Sequence, residues 1–125
     1  MTTLLVLYRR PEGGPDAQAT FERRYVAEHL ALVAGTPGLR ETRVQRVVTE
    51  LGGETDLFLA TAMAFDDRAA LDAGLASDAM RAAGRNLREI APGVATFLVL
   101  EDVPEWSGGP SVRVDTDKTT PEGRS

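Results

Sequence analysis

The chain of 125 residues contains no cysteine, one histidine, one tryptophan and only 6% aromatic residues. The absence of cysteine excludes disulfides, thiolate metal ligands and a cysteine nucleophile. Basic residues number 14 against 19 acidic ones, and the net charge of −5 repels nucleic-acid and anionic membrane surfaces. No apolar stretch reaches the roughly 20 residues needed to cross a bilayer, and the chain opens on a strand-like segment instead of a leader. We therefore expect a cytoplasmic protein with no nucleic-acid or membrane partner.

Several sequence signatures of catalysis are missing as well. No serine lies in a Gly-x-Ser-x-Gly setting, and neither a Gly-x-Gly-x-x-Gly motif nor a P-loop is present. A metal site would have to combine carboxylates with the one histidine, and the pair Asp66-Asp67 is better explained as a helix cap. Serine hydrolases, nucleotide-binding proteins and metal enzymes are therefore not favoured.

The order of apolar patterns predicts one domain over residues 1–106, of α+β class. Strands are expected at 3–8, 39–49, 57–65 and 94–102, and helical regions at 16–34 and 66–90, the second interrupted near Ser77. This β-α-β-β-α-β order is that of the ferredoxin-like sandwich, an antiparallel sheet with both helices on one face. Residues 107–125 are polar, contain glycine and proline, and lack periodicity, so a flexible tail is expected there.

The predicted strands are apolar on both faces. In the first strand Leu5 and Leu7 alternate with Leu4, Val6 and Tyr8, all of them apolar or aromatic. A sheet that is covered by helices on one face only should alternate apolar and polar residues. We therefore expect a second copy of the chain to cover the other face, which makes the protein an obligate homodimer.

The one histidine, His29, closes the pattern Phe21-x-x-x-Tyr25-x-x-x-His29, which places three rings along one side of a helix. Histidine exchanges protons near neutral pH, so His29 is the first candidate for a general acid or base. The alternative is a semi-buried histidine that bonds a backbone carbonyl. Glu28 points about 100° away around the helix, so we expect it to be solvated and not to bond His29 directly.

These features together resemble a known family. The sequence of residues 25–32, the Pro37-Gly38-Leu39 that follows and the order of elements resemble the EthD-like proteins of the dimeric α+β barrel superfamily, over roughly residues 3–106. Two departures stand out. Many members carry a proline close to the histidine where this chain has Ala31, and an aspartate late in helix two where this chain has Asn86.

The resemblance implies a homodimer with a cavity between helices and sheet, but no single reaction, because the superfamily contains oxygenases, cyclases, isomerases and haem-handling enzymes. Our hypothesis is a cofactor-independent enzyme or auxiliary protein that acts on a small, largely apolar, oxygenated organic compound. In it His29 moves a proton and Tyr25 bonds the substrate oxygen. The pocket would be lined by Leu5, Phe21, Phe58, Met63 and Phe97.

Other functions stay open. The chain could be a non-catalytic ligand-binding or assembly homodimer, with its cavity filled by side chains. It could also be a cofactor-free monooxygenase or a polyketide cyclase. A single axial histidine could hold haem, although the sequence offers no clear clamp for the propionates.

Overall fold

The computed structural model describes residues 1–108 and contains one four-stranded sheet with helices on one face. Most of the predicted flexible tail, residues 109–125, lies outside the described residues. The strands are β1 (Thr2–Arg9), β2 (Glu41–Arg46), β3 (Leu57–Phe65) and β4 (Ala95–Glu101). The helices are α1 (Gly14–Arg24), α2 (Leu30–Val33), α3 (Arg68–Leu75) and α4 (Asp78–Ile90), with a 3₁₀ turn at Pro104–Trp106.

The strands follow the order β2-β3-β1-β4, and every neighbouring pair is antiparallel. Leu4 of β1 pairs with Met63 of β3 on one side and with Val99 of β4 on the other. The predicted ferredoxin-like α+β fold is confirmed.

Local sequence signals set most helix ends. The Asp67 side chain accepts a 2.8 Å hydrogen bond from Ala70 N, and the Ser77 hydroxyl accepts one of 3.2 Å from Met80 N, as expected of N-caps. Ser77 therefore divides the second helical region into α3 and α4. The first helix begins at Gly14, before the predicted start at residue 16. Its N-cap is Gly13, whose φ of 108° few other residues adopt, and Asp16 lies in the first turn.

The helix that carries the aromatic pattern is not continuous. Between α1 and α2 the segment Tyr25–His29 is π-helical, and Leu30 N bonds Tyr25 O across this wider turn. Such turns are rare and frequently occur at functional sites. Here the π-helical segment carries both residues predicted to be catalytic.

The two faces of the sheet differ in their cover. On the face toward the helices, Leu4, Val6 and Tyr8 are at most 5% exposed. On the other face Leu5 and Leu7 are only half-buried. This outer face is the one for which the sequence analysis expects a second copy of the chain.

Candidate functional site

A cavity of about 520 Å³ lies between α4 and the helix-facing side of the sheet, toward the β4 edge. Its walls are almost entirely apolar, and among the lining side chains from residues 1–108 only Tyr8, His29 and Arg88 are polar or charged. The apolar wall includes Leu4, Val6, Val33, Met63, Leu87, Phe97 and Val99. A cavity of this size and polarity suits one small organic molecule with few polar groups.

His29 forms part of the cavity wall and is 5% exposed. Its ring stacks on Tyr25, with centroids 5.1 Å apart and an interplanar angle of 24°. Burial lowers the pKa of His29, while the Asn86 side chain and the Ala83 backbone oppose that decrease. The imidazole is therefore predominantly neutral at pH 7 and can accept a proton.

Behind the imidazole lies a chain of three buried hydroxyls. The Tyr25 hydroxyl is 3.0 Å from the Tyr8 hydroxyl and 2.5 Å from Thr61 Oγ1. Burial raises the pKa of Tyr8 and also that of Tyr25, so both phenols are protonated at neutral pH. The Tyr25 hydroxyl bonds both Tyr8 and Thr61, and Thr61 also acts on the Tyr8 phenol. Tyr8 is fully buried but is among the residues that line the cavity, whereas Tyr25 is not.

A polar network holds the outer side of this helix. Arg24 donates two 3.0 Å hydrogen bonds to the carboxylate of Glu28, and Asn86 Nδ2 donates one of 2.9 Å to the same carboxylate. Arg24 also reaches Glu89 at 3.4 Å. Glu28 is thus half-exposed but engaged, and it connects to the histidine's surroundings through Asn86.

The residues predicted from sequence occupy four places. His29, Met63 and Phe97 line the cavity, with Phe97 59% exposed at the β4 edge. Tyr25 stacks behind His29. Phe21 and Phe58 pack against each other in the core, with centroids 5.7 Å apart, and Leu5 lies on the outer face of the sheet.

Sequence reasoning missed Tyr8 and Arg88. Tyr8 alternates with Val6 and Leu4 along β1, so period two alone places it on their face. Arg88 follows Gly84 by four residues on α4, and the guanidinium Nη1 lies 3.7 Å from where a Cβ on Gly84 would stand. Helical spacing from Gly84 and Leu87 could have placed it at the cavity.

Metal-ligand clusters and membrane-spanning helices are both absent from the described residues. No cluster of three or more potential metal ligands occurs in residues 1–108. Within the same range no helix is long and apolar enough to cross a bilayer.

Comparison with known proteins identifies relatives by structure. No family model matches the chain. No curated protein matches it either. An EthD (ethyl tert-butyl ether D) family protein of Bacillus halodurans is 29% identical, with a TM-score of 0.74 over 82% of this chain and 99% of that one.

Two more distant structures share the fold alone. A dimeric ferredoxin-like protein of unknown function from Jannaschia is 22% identical, with a TM-score of 0.61 over 82% of this chain and 100% of that one. SnoaB, a cofactor-independent oxygenase of Streptomyces nogalater, is 15% identical, with a TM-score of 0.54 over 81% of this chain and 91% of that one. The Bacillus structure confirms the resemblance drawn from sequence: the chain is similar to an EthD family protein and has the ferredoxin-like fold.

Proposed function

We propose that the protein is a cofactor-independent homodimeric enzyme that moves a proton on a small, largely apolar organic molecule bearing an oxygen. One observation carries the proposal: a neutral imidazole, that of His29, forms the wall of an apolar cavity of about 520 Å³. A base with a pKa at or below neutrality is free to accept a proton at physiological pH. In an apolar cavity, such a base can remove a proton from an acidic C–H or O–H group of the bound molecule.

Tyr8 is the group that we assign to the substrate oxygen. A phenol has one proton to donate and can accept further bonds. When the Tyr25 hydroxyl donates to Tyr8, the Tyr8 proton is left for a ligand oxygen, which the fully buried hydroxyl reaches once the side chains around it move. Charge that develops on that oxygen after proton removal would be stabilised by this donor. Tyr25 then acts as a positioning residue, through its stack on His29 and its bond to Tyr8.

Arg88 adds a preference for the polar end of the substrate. It is the one charged side chain of the cavity wall, and within residues 1–108 it makes no ion pair. A guanidinium attracts a carboxylate, a phenolate or an enolate oxygen. We therefore propose a substrate with an apolar body and one oxygen-rich or anionic end.

The experiment measures hydrogen–deuterium exchange at carbon. Propiophenone and 4-propionylbenzoate are incubated in D₂O with the protein, and exchange next to the carbonyl is followed by NMR. We expect catalysed exchange that falls about 10²-fold or more in His29→Gln, the usual contribution of a general base. Arg88→Gln should slow only the carboxylated ketone. Arg85→Gln, on the same helix but outside the cavity wall, is its control. Equal rates for the wild type and His29→Gln would contradict the proposal.

The homodimer is proposed from the outer face of the sheet. Leu5 pairs with Leu98 in the β1–β4 ladder, and Leu98 and Leu100 are 41% and 44% exposed. An apolar sheet face of this kind is typical of an interface between copies. Leu98→Glu should give monomers in analytical ultracentrifugation, whereas Leu51→Glu, at a 91% exposed loop position, should leave the dimer intact. A wild type that sediments as a monomer would contradict the proposal.

The alternative functions fare differently. An assembly dimer whose cavity is filled by the same chain's side chains is disfavoured, because the side chains of residues 1–108 leave about 520 Å³ of it open. Cofactor-free oxygenation has support in the shared fold of SnoaB, which is a cofactor-independent oxygenase. It would begin with the same proton removal from a hydroxylated aromatic compound, so oxygen uptake with anthrone as the probe separates it from simple proton transfer.

A further inference from the structure

Two buried polar atoms of neighbouring side chains lack hydrogen-bond partners. They are His29 Nδ1 and Asn86 Oδ1, which with Thr36 Oγ1 are the buried side-chain atoms left unpaired within residues 1–108. The Asn86 side chain is close enough to the imidazole to act on its pKa. Buried polar groups are nearly always paired, so two orphans on adjacent groups call for a common explanation.

The orientation of the Asn86 amide is fixed from the other side. Its nitrogen Nδ2 donates to Glu28 Oε1 over 2.9 Å, and a carboxylate can only accept. Glu28 is itself held by two hydrogen bonds from Arg24. The amide nitrogen must therefore face Glu28, which leaves Oδ1, a pure acceptor, for the remaining neighbour.

We infer that Asn86 selects the tautomer of His29 that carries its proton on Nδ1. When Oδ1 accepts a hydrogen bond from Nδ1–H, both orphaned atoms gain a partner. The lone pair is then on Nε2, the ring nitrogen that remains for the cavity. Asn86 is thus a positioning residue, connected through Glu28 to Arg24.

This tautomer determines whether His29 first accepts a proton from the ligand or donates one to it. A histidine with Nδ1–H and an unprotonated Nε2 begins as a base. An aspartate at position 86 would instead stabilise the imidazolium, whereas the uncharged amide orients the ring without charging it. The significance for catalysis rests on the proposed function, but the tautomer itself does not.

Other groups surround the imidazole and could also influence its protonation. Tyr25 stacks on the ring, Tyr8 and Arg88 share the cavity wall, and Glu28 lies beyond Asn86. The Ala83 carbonyl also acts on the His29 pKa and is the competing acceptor for an imidazole N–H. The experiment must therefore separate the Asn86 amide from the Ala83 backbone.

The chain has one histidine, so protein labelled with ¹⁵N-histidine gives a single imidazole spin system. The ¹⁵N shifts of Nδ1 and Nε2 report the tautomer directly, without a substrate. At pH 7.5 we expect the wild type to carry its proton on Nδ1. Asn86→Leu should lose that preference and give a mixture of tautomers or the Nε2–H form.

Variants of Glu28 and Glu89, the two carboxylates that contact Arg24, test the inference independently if Asn86→Leu does not fold. Glu28→Gln presents either an oxygen or an NH₂ group to Asn86, which frees the amide to flip and should also mix the tautomers. Glu89→Gln removes a carboxylate from the other side of Arg24, 67% exposed, and is the matched control that should leave the tautomer unchanged. In Asn86→Asp the His29 titration midpoint should rise by about one pH unit or more.

The inference is overturned if the wild type carries its proton on Nε2, or if Asn86→Leu and Glu28→Gln both retain Nδ1–H, which would assign the bond to Ala83. Equal effects of Glu28→Gln and Glu89→Gln would also overturn it, since general charge would then explain the change. The proposed function fails separately: an intact Nδ1–H tautomer with no His29-dependent exchange of the ketones would refute proton transfer and leave the role of Asn86 standing.

Discussion

Replacing Tyr25 by phenylalanine tests whether its hydroxyl stabilises the fold. The substitution removes one oxygen and keeps the ring that packs on Phe21 and His29. It leaves the hydroxyls of Tyr8 and Thr61, both at most 1% exposed, without the partner that they share. The structure therefore predicts a loss larger than that of a single surface hydrogen bond.

The magnitude follows from the two groups that lose a partner. A buried polar group left unpaired costs about 1–3 kcal/mol. Two such groups, with some relaxation toward each other, predict that Tyr25→Phe lowers the free energy of unfolding by about 2–4 kcal/mol. That is a large part of the roughly 5–15 kcal/mol available to a domain.

The measurement is urea unfolding followed by far-UV circular dichroism, at one protein concentration because a dimer's stability depends on it. The control is Thr61→Val, which removes the other hydroxyl without changing the side-chain shape. In the double variant Tyr25→Phe/Thr61→Val no Thr61 hydroxyl is left stranded, so the two losses should fall short of additivity by about 0.5–3 kcal/mol. A loss below about 0.5 kcal/mol in Tyr25→Phe, or additive losses, would refute the reasoning.

Three further outcomes concern stability. A Cβ on Gly74 would stand 2.8 Å from the Phe65 ring, so Gly74→Ala should destabilise α3 despite a helix-propensity gain of about 1 kcal/mol; Gly84→Ala, whose nearest contact is 3.7 Å, should not. Thermal unfolding of the two variants measures the contrast. Because the folded pKa of His29 lies below its unfolded value, unfolded chains bind the proton first and stability should fall below about pH 6.5; His29→Gln should lose this component in acid titrations. The folded pKa of Tyr8 lies above its unfolded value, so unfolded chains lose the proton first and the free energy of unfolding should fall above about pH 10. Tyr8→Phe should reduce this loss in alkaline titrations.

The fold was predictable where local signals and burial agree. Strand β3 runs over the predicted residues 57–65, because its apolar pattern and the flanking turn both define it. Strand β2 was predicted over 39–49 but spans Glu41–Arg46. It is an exposed edge strand that, among the described strands, pairs with β3 alone, so its length depends on that pairing more than on its own sequence.

The π-helical turn escaped prediction for a different reason. An α-helix has 3.6 residues per turn and a π-helix has slightly more. Over a single turn both place Tyr25 and His29 on nearly the same side of the helix. The ring spacing therefore predicted the stack of the two side chains but not the backbone that carries them. The bond from Leu30 N to Tyr25 O, across five residues, distinguishes the π-helical turn from an α-helical one.

The candidate site shows what spacing along one helix leaves undetermined. Ring spacing selects Tyr25 as the phenol beside His29, and the two rings do stack. Whether a phenol can hydrogen-bond a ligand depends on which protein groups already bond its hydroxyl. For Tyr25 those groups lie on strands of the sheet. Thr61 of β3 and Tyr8 of β1 occupy the Tyr25 hydroxyl, which leaves Tyr8 as the phenol on the cavity wall. Contacts with Tyr8 and Thr61, both distant in sequence, therefore determine what the hydroxyl of Tyr25 can bind.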